Sequence, residues 1–174
     1  DDPRFTLVAA DALPRKSQVN PIIVQALRAA AAATVDECEQ TASDAQQSAH
    51  FKLVANLPYD IATPLIMELL YGQPPLERFV CTIQREVGER LRAPADTDAY
   101  GPVSVVTDTL AEVEPLAILP ASVFWPRPKV ESLLIRIKPR PPEHGEVHDV
   151  PAFVRFVREG FQQRRKMLRK LFPD

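Results

Sequence analysis

Asn56-Leu57-Pro58-Tyr59 directly follows the apolar run Phe51-Lys52-Leu53-Val54-Ala55. The run reads as a strand and the tetrapeptide as the turn beyond its carboxyl end, where parallel sheets bind their ligands. An amide, a rigid proline and an aromatic ring suit one task. An aromatic amine is a poor nucleophile because its lone pair is delocalised into the ring. Two acceptors, the Asn56 side-chain oxygen and a neighbouring backbone carbonyl, can hold both amine hydrogens and favour a pyramidal nitrogen. Pro58 fixes the loop, so these acceptors are preorganised. Tyr59 can stack on a base extruded from its helix or single strand. No early general base is required, because the attacking nitrogen becomes acidic only after it is alkylated.

Other chemistries find less support. The five glycines, at 72, 88, 101, 145 and 160, lie too far apart for a Walker loop or a GxGxxG turn. No serine occupies a GxSxG elbow. Cys38 and Cys81 are too few for a zinc ribbon or a disulfide framework, and read as free thiols. His144 and His148 stand four apart, but without the HExxH order and just after Pro139, Pro141 and Pro142. They read as part of a solvated linker, and no metal site is expected. Composition is that of an ordinary globular protein, 45% hydrophobic and 25% charged over 174 residues, which excludes disorder and coiled coil. No apolar run approaches the ~18 residues of a membrane span. The opening Asp1-Asp2-Pro3-Arg4 lacks a basic n-region followed by an apolar h-region. No signal peptide and no membrane partner are expected, and the protein reads as cytoplasmic.

The elements that must position the turn follow from pattern. Phe5–Ala10 is a short apolar run, predicted as a buried strand ending at Asp11. Asn20-Pro21 marks a helix start, continued by Ile22, Ile23, Ala26, Leu27 and alanines to Ala33. The polar stretch 34–50 predicts a helix extension and then a surface loop. After the second strand, Thr63-Pro64 repeats the cap-and-proline signal, with Leu65, Ile66, Leu69 and Leu70 on one face and Gly72 closing the helix. A third strand, Phe79–Ile83, precedes a charged helix from Arg85 to Arg92 and another from Val103 to Leu110. The first three strands read as βαβ units of a parallel sheet. Strands around Val113–Leu119 and Val130–Ile137 have no helix between them and read as an antiparallel pair.

Charge is uneven. Residues 1–120 carry 9 basic and 17 acidic residues, net −8, and residues 121–174 carry 12 and 6, net +6. The basic tail suggests a localised phosphate-contacting surface. From Pro151, Phe153, Val157, Phe161, Leu168 and Leu171 recur at helical spacing, opposite Arg155, Arg158, Arg165, Lys166, Arg169 and Lys170.

Six ordered blocks give these features a common source. Asn56-Leu57-Pro58-Tyr59 is similar to the (Asp/Asn/Ser)-Pro-Pro-Tyr signature of adenine amino-methyltransferases. Its extension to Leu65 resembles the small-subunit rRNA adenine dimethyltransferase family. Ala10-Asp11-Ala12-Leu13 resembles that family's Gly-Asp-Ala cofactor motif. Gln84–Leu91 and Tyr100–Val105 resemble its central blocks, Phe124–Ser132 its Phe-x-Pro-x-Pro-x-Val-x-Ser block, and Phe161–Arg169 the opening of its helical C-terminal domain.

The resemblance implies a Rossmann-like class I α/β core that binds S-adenosylmethionine and acts on 16S rRNA. Residues 1–138 would be a catalytic domain lacking its first strands, 139–150 a proline-rich linker and 151–174 the start of a helical domain. Asp11 and Ala12 would meet the adenine of S-adenosylmethionine. Asn56, on Pro58, would touch both cofactor and target amine, and Tyr59 and Phe124 would sandwich the target adenine. Arg127, Lys129, Arg165, Lys166 and Arg169 would contact RNA phosphates. The implied activity is dimethylation of two adjacent adenines near the 3′ end of 16S rRNA in the small subunit, by a monomer. The competing readings are a large-subunit rRNA adenine methyltransferase of the resistance type and a non-catalytic rRNA-binding assembly factor. The family's glycine-rich turn would precede Asp1, so this chain by itself is expected to be inactive. Ala10 in place of glycine, Asp60 where asparagine is frequent, and the stretch 34–50 also depart from the family pattern.

Overall fold

The computed structural model describes residues 5–15, 18–38, 51–72, 75–140, 147–163, 166, 167 and 169. Helix α1 (Pro21–Cys38) precedes strand β1 (Phe51–Asn56), helix α2 (Ala62–Leu70) and strand β2 (Leu76–Gln84). Helices α3 (Arg85–Leu91) and α4 (Pro102–Leu110) lead to strand β3 (Ala111–Leu119), strand β4 (Ser132–Pro139) and helix α5 (Val150–Gln162). The four strands form one sheet in the order β1-β2-β4-β3. β1 runs parallel to β2, and β4 is antiparallel to both of its neighbours. Pro115, which cannot donate to a ladder, sits beside a register irregularity in the edge strand β3.

One face of this sheet holds the core. Phe79, Cys81 and Ile83 of β2 alternate inward and pair with Ile137, Ile135 and Leu133 of β4. Ala62, Leu65 and Ile66 of α2 and Leu91 of α3 join them in one buried cluster, which also takes in Leu13 and Leu57. Apolar atoms of these residues leave water, at about 25 cal/mol per Å² of area removed. The opposite face carries Val54, Val80, Leu134 and Arg136, and Val54 is 81% exposed.

The antiparallel pair, the start of α1 and the third strand follow the sequence pattern. Asn20 Oδ1 accepts the Ile22 N–H at 3.0 Å, the cap that Asn20-Pro21 announces. Three expectations need correction. Phe5–Ala10 is not a strand, and Phe5 and Leu7 are 71% and 78% exposed. An apolar run becomes a strand only beside a partner, and among the described residues β1 pairs with β2 alone, so the sheet holds a single parallel pair. Helix α2 begins at Ala62 with Ile61 as a cap that makes no side-chain bond, so Thr63 lies inside the first turn. Helix α5 ends at Gln162, where Gln163 leaves the helical region at φ −131° and ψ 57°. Lys166 therefore does not continue the α5 face. Its amide instead donates to the Gln163 carbonyl in a separate turn at 2.8 Å. Residues 39–50, Arg165, Leu168, Lys170, Leu171 and His144 lie outside the described residues.

Candidate active site at the carboxyl end of the sheet

Strand β1 ends at Asn56, which is exposed, and the Leu57 amide donates to the Thr82 carbonyl of β2 at 3.1 Å. That bond, with the burial of the Leu57 side chain, fixes where the chain leaves the sheet. The Ile61 amide then donates to the Pro58 carbonyl at 3.2 Å, closing the turn that leads into α2. Asn56, Pro58 and Tyr59 thus occupy one tight connection, as the sequence predicts.

The register brings a second segment to the same edge. Gln84 at the end of β2 pairs with Ser132 at the start of β4, and Leu119 at the end of β3 pairs with Ser132 from the other side. Residues 120–131 therefore connect β3 to β4 at the edge where β1 and β2 end. The Tyr59 hydroxyl and Ser132 Oγ share a hydrogen bond of 2.7 Å across 73 residues of sequence. The Arg85 amide donates to the Glu131 carbonyl at 3.0 Å. Its guanidinium donates to Glu131 Oε2 and Glu89 Oε1, both at 2.8 Å. Those two carboxylates raise the Arg85 pKa further above its ordinary value. Phe124 stands half-buried in this loop, and Arg127 and Lys129 are exposed beyond it.

Asp11 is held from a third direction. Its carboxylate accepts the Leu13 N–H at 3.0 Å, and its carbonyl accepts from Asn20 Nδ2 at 2.8 Å. The Asn20 amide also donates to the Ala12 carbonyl at 3.0 Å, and the buried Leu13 anchors the segment in the core. Asn20, readable as a helix cap, is in addition the residue that positions Asp11. Ser132, Arg85 and Glu131 are further residues of the site region; they fall within motif blocks of the sequence, and the ladder is what brings them to this edge.

Two cavities lie away from this edge. One of about 670 Å³ opens between α3, α4 and β3, and one of about 580 Å³ is lined by parts of α2, α4 and α5. Neither is lined by Asp11, Asn56, Tyr59 or Phe124. Among the described residues no group of three or more His, Cys, Asp and Glu could hold a metal ion, and no helix is long and apolar enough to cross a membrane.

A parallel strand pair ending in an amide-proline-aromatic turn, with an antiparallel strand beside it, defines a Rossmann-like methyltransferase core. Its solved likenesses include a dimethyladenosine transferase from Plasmodium falciparum, with TM-score 0.64 and 25% identity over 76% of this chain and 47% of that one. The crystal structure of 23S rRNA methyltransferase ErmE matches in fold, with TM-score 0.53 and 21% identity over 88% of this chain and 63% of that one. Residues 2–173 match the family described as ribosomal RNA adenine dimethylase, and the chain belongs to that family. Ribosomal RNA small subunit methyltransferase A of Bacillus mycoides is 44% identical over 116 residues, 67% of this chain and 40% of that protein. The protein of the same name from Bacillus anthracis gives the same figures. The match spans less than half the length of these curated relatives.

Proposed function

We propose that the chain is the adenine-holding part of an S-adenosylmethionine-dependent rRNA adenine N6,N6-dimethyltransferase. Its substrate is a pair of adjacent adenines near the 3′ end of 16S rRNA in the small ribosomal subunit. One observation carries this reading: Tyr59 of the Asn-Leu-Pro-Tyr turn is bonded to Ser132 of the Phe-x-Pro-x-Pro-x-Val-x-Ser block. Two motifs that each suit an adenine-modifying enzyme meet at one edge of the sheet.

The residues present fit the adenine end of the donor. Asp11 is exposed, and its backbone is fixed by Asn20, so its carboxylate is available to accept from an exocyclic amine beside Ala12. S-adenosylmethionine supplies an electrophilic methyl group. Asn56 and a backbone carbonyl of the rigid Pro58 turn accept the two hydrogens of the target amine and turn its lone pair outward. Tyr59 and Phe124 hold the base between their rings, with the Tyr59 ring oriented by Ser132. Arg127, Lys129, Arg165, Lys166 and Arg169 contact phosphates of the rRNA. The enzyme works as a monomer in the cytoplasm.

The test uses a protein of the relatives' full length and isolated ribosomal subunits. Asn56→Ala lowers methyl incorporation about 100-fold, by analogy with loss of one preorganised polar partner at a reacting centre. Binding to the small subunit is retained. Incorporation into large-subunit particles alone would select the resistance-type methyltransferase. Binding to the small subunit without incorporation by the unsubstituted protein would select an assembly factor.

A further inference from the structure

Trp125 is the sole tryptophan of the chain and is 96% exposed. An indole buries more apolar area than almost any other side chain when it packs, so leaving it in water forgoes a large gain. A single exposed apolar residue needs no explanation. Trp125, however, does not stand alone, since Val123 and Val130 of the same loop are 60% and 45% exposed.

The loop is also stiff. Pro120, Pro126 and Pro128 fix three of its φ angles. The Val123 amide donates to the Pro120 carbonyl at 3.1 Å, and Arg85 grips Glu131 at the far end. Phe124 is half-buried, whereas the neighbouring Trp125 stands in solvent.

Charge selects the occupant. Residues 115–130 contain Arg127 and Lys129 and no acidic residue. Among the described residues neither cation lies within ion-pairing distance of a carboxylate. A preorganised indole flanked by exposed cations suits an unpaired nucleotide, whose base stacks while its phosphates meet the charges.

We infer that Trp125 is a stacking platform for an unpaired rRNA nucleotide neighbouring the target adenine, a contact outside the sandwich of Tyr59 and Phe124. It rests on the rRNA reading and adds a second base-binding position to it. Its strength sets affinity for single-stranded over duplex RNA, because only an unpaired base offers its face.

The sole tryptophan is its own reporter. The chain is titrated with an adenine-rich single-stranded RNA nonamer, following tryptophan emission in one experiment and anisotropy of a labelled nonamer in another. Emission is quenched along the same saturation curve as anisotropy, and a duplex of equal length binds without quenching. Trp125→Ala weakens nonamer binding roughly 5- to 100-fold, and Trp125→Phe recovers part of the loss. Circular dichroism stays unchanged, since the side chain touches solvent. Equal affinity of Trp125→Ala and the unsubstituted chain, with emission unquenched, overturns the platform and leaves the rRNA reading standing. A blue shift of emission with protein concentration alone, and none with RNA, assigns the surface to another protein and also overturns it. Failure of the unsubstituted chain to bind any RNA defeats both the platform and the reading beneath it.

Discussion

Tyr59 and Ser132 share a 2.7 Å hydrogen bond, and the two ends of that bond have different surroundings. Ser132 is fully buried, whereas Tyr59 is half-buried. Tyr59→Phe removes the partner of a hydroxyl that water cannot reach, a loss of about 1–3 kcal/mol. Ser132→Ala leaves a phenol that can turn to solvent, at about 1 kcal/mol or less. Urea unfolding of both variants and of the double variant checks the order, and equal costs would mean that the bond is not the difference between them.

Asn20 makes separable contributions. Asn20→Ala loses the cap of α1 and destabilises the protein by about 0.5–2 kcal/mol. Asn20→Asp keeps the acceptor for the Ile22 amide but loses the donor to the Asp11 carbonyl. It should therefore preserve most of the stability while hydrogen exchange at the Leu13 amide speeds up. A slow Leu13 amide in Asn20→Asp would show that Asp11 is held by other contacts.

Gly88 of α3 lies against β4, and a Cβ there would stand 2.5 Å from Leu133 Cδ2. Alanine gains up to about 1 kcal/mol of helix propensity. Leu133 is itself buried and cannot swing clear, so overpacking of about 1–3 kcal/mol prevails. Gly88→Ala should lower the melting temperature, and Gly88→Val should lower it further. Leu133→Ala in the Gly88→Ala background relieves the clash, so the two losses should be less than additive.

Alkali should weaken the fold in a defined window. Burial pushes the Cys81 thiol from 9.0 up to about 11. Burial, then the charge and hydrogen bond of Glu68, push the Tyr71 phenol from 10.0 up to about 12, against a smaller opposing effect of Arg158. In each case the unfolded chain releases its proton first, so stability falls as pH rises from about 9 to about 12. Each group contributes a slope of at most about 1.4 kcal/mol per pH unit. Tyr71→Phe should flatten the upper part of the urea-midpoint profile, and an unchanged profile would remove Tyr71 from the account.

The parts of the site that local sequence governs were readable from the chain. Asn20-Pro21 caps a helix and Pro58 closes a turn through bonds to residues only a few positions away. Phe5–Ala10 has the same apolar signature as Phe51–Ala55, but a strand needs a neighbour and periodicity does not supply one. The contact of Tyr59 with Ser132 depends on β4 entering between β2 and β3, an ordering that no local pattern encodes. The basic stripe is legible only in part: Arg155 and Arg158 are exposed on α5 as the spacing predicts, but the chain leaves the helix after Gln162, two residues beyond Gly160.

The outer side of β1 has a colloidal consequence. Among the described residues its peptide groups face away from any partner strand, and Val54 projects from it into water. Such an edge is a template onto which another extended chain can add. Lys52 carries the only charge in Phe51–Asn56, so it is the single gatekeeper against that addition. Concentrated solutions of the chain should thus tolerate a second lysine at Val54 far better than neutralisation of Lys52.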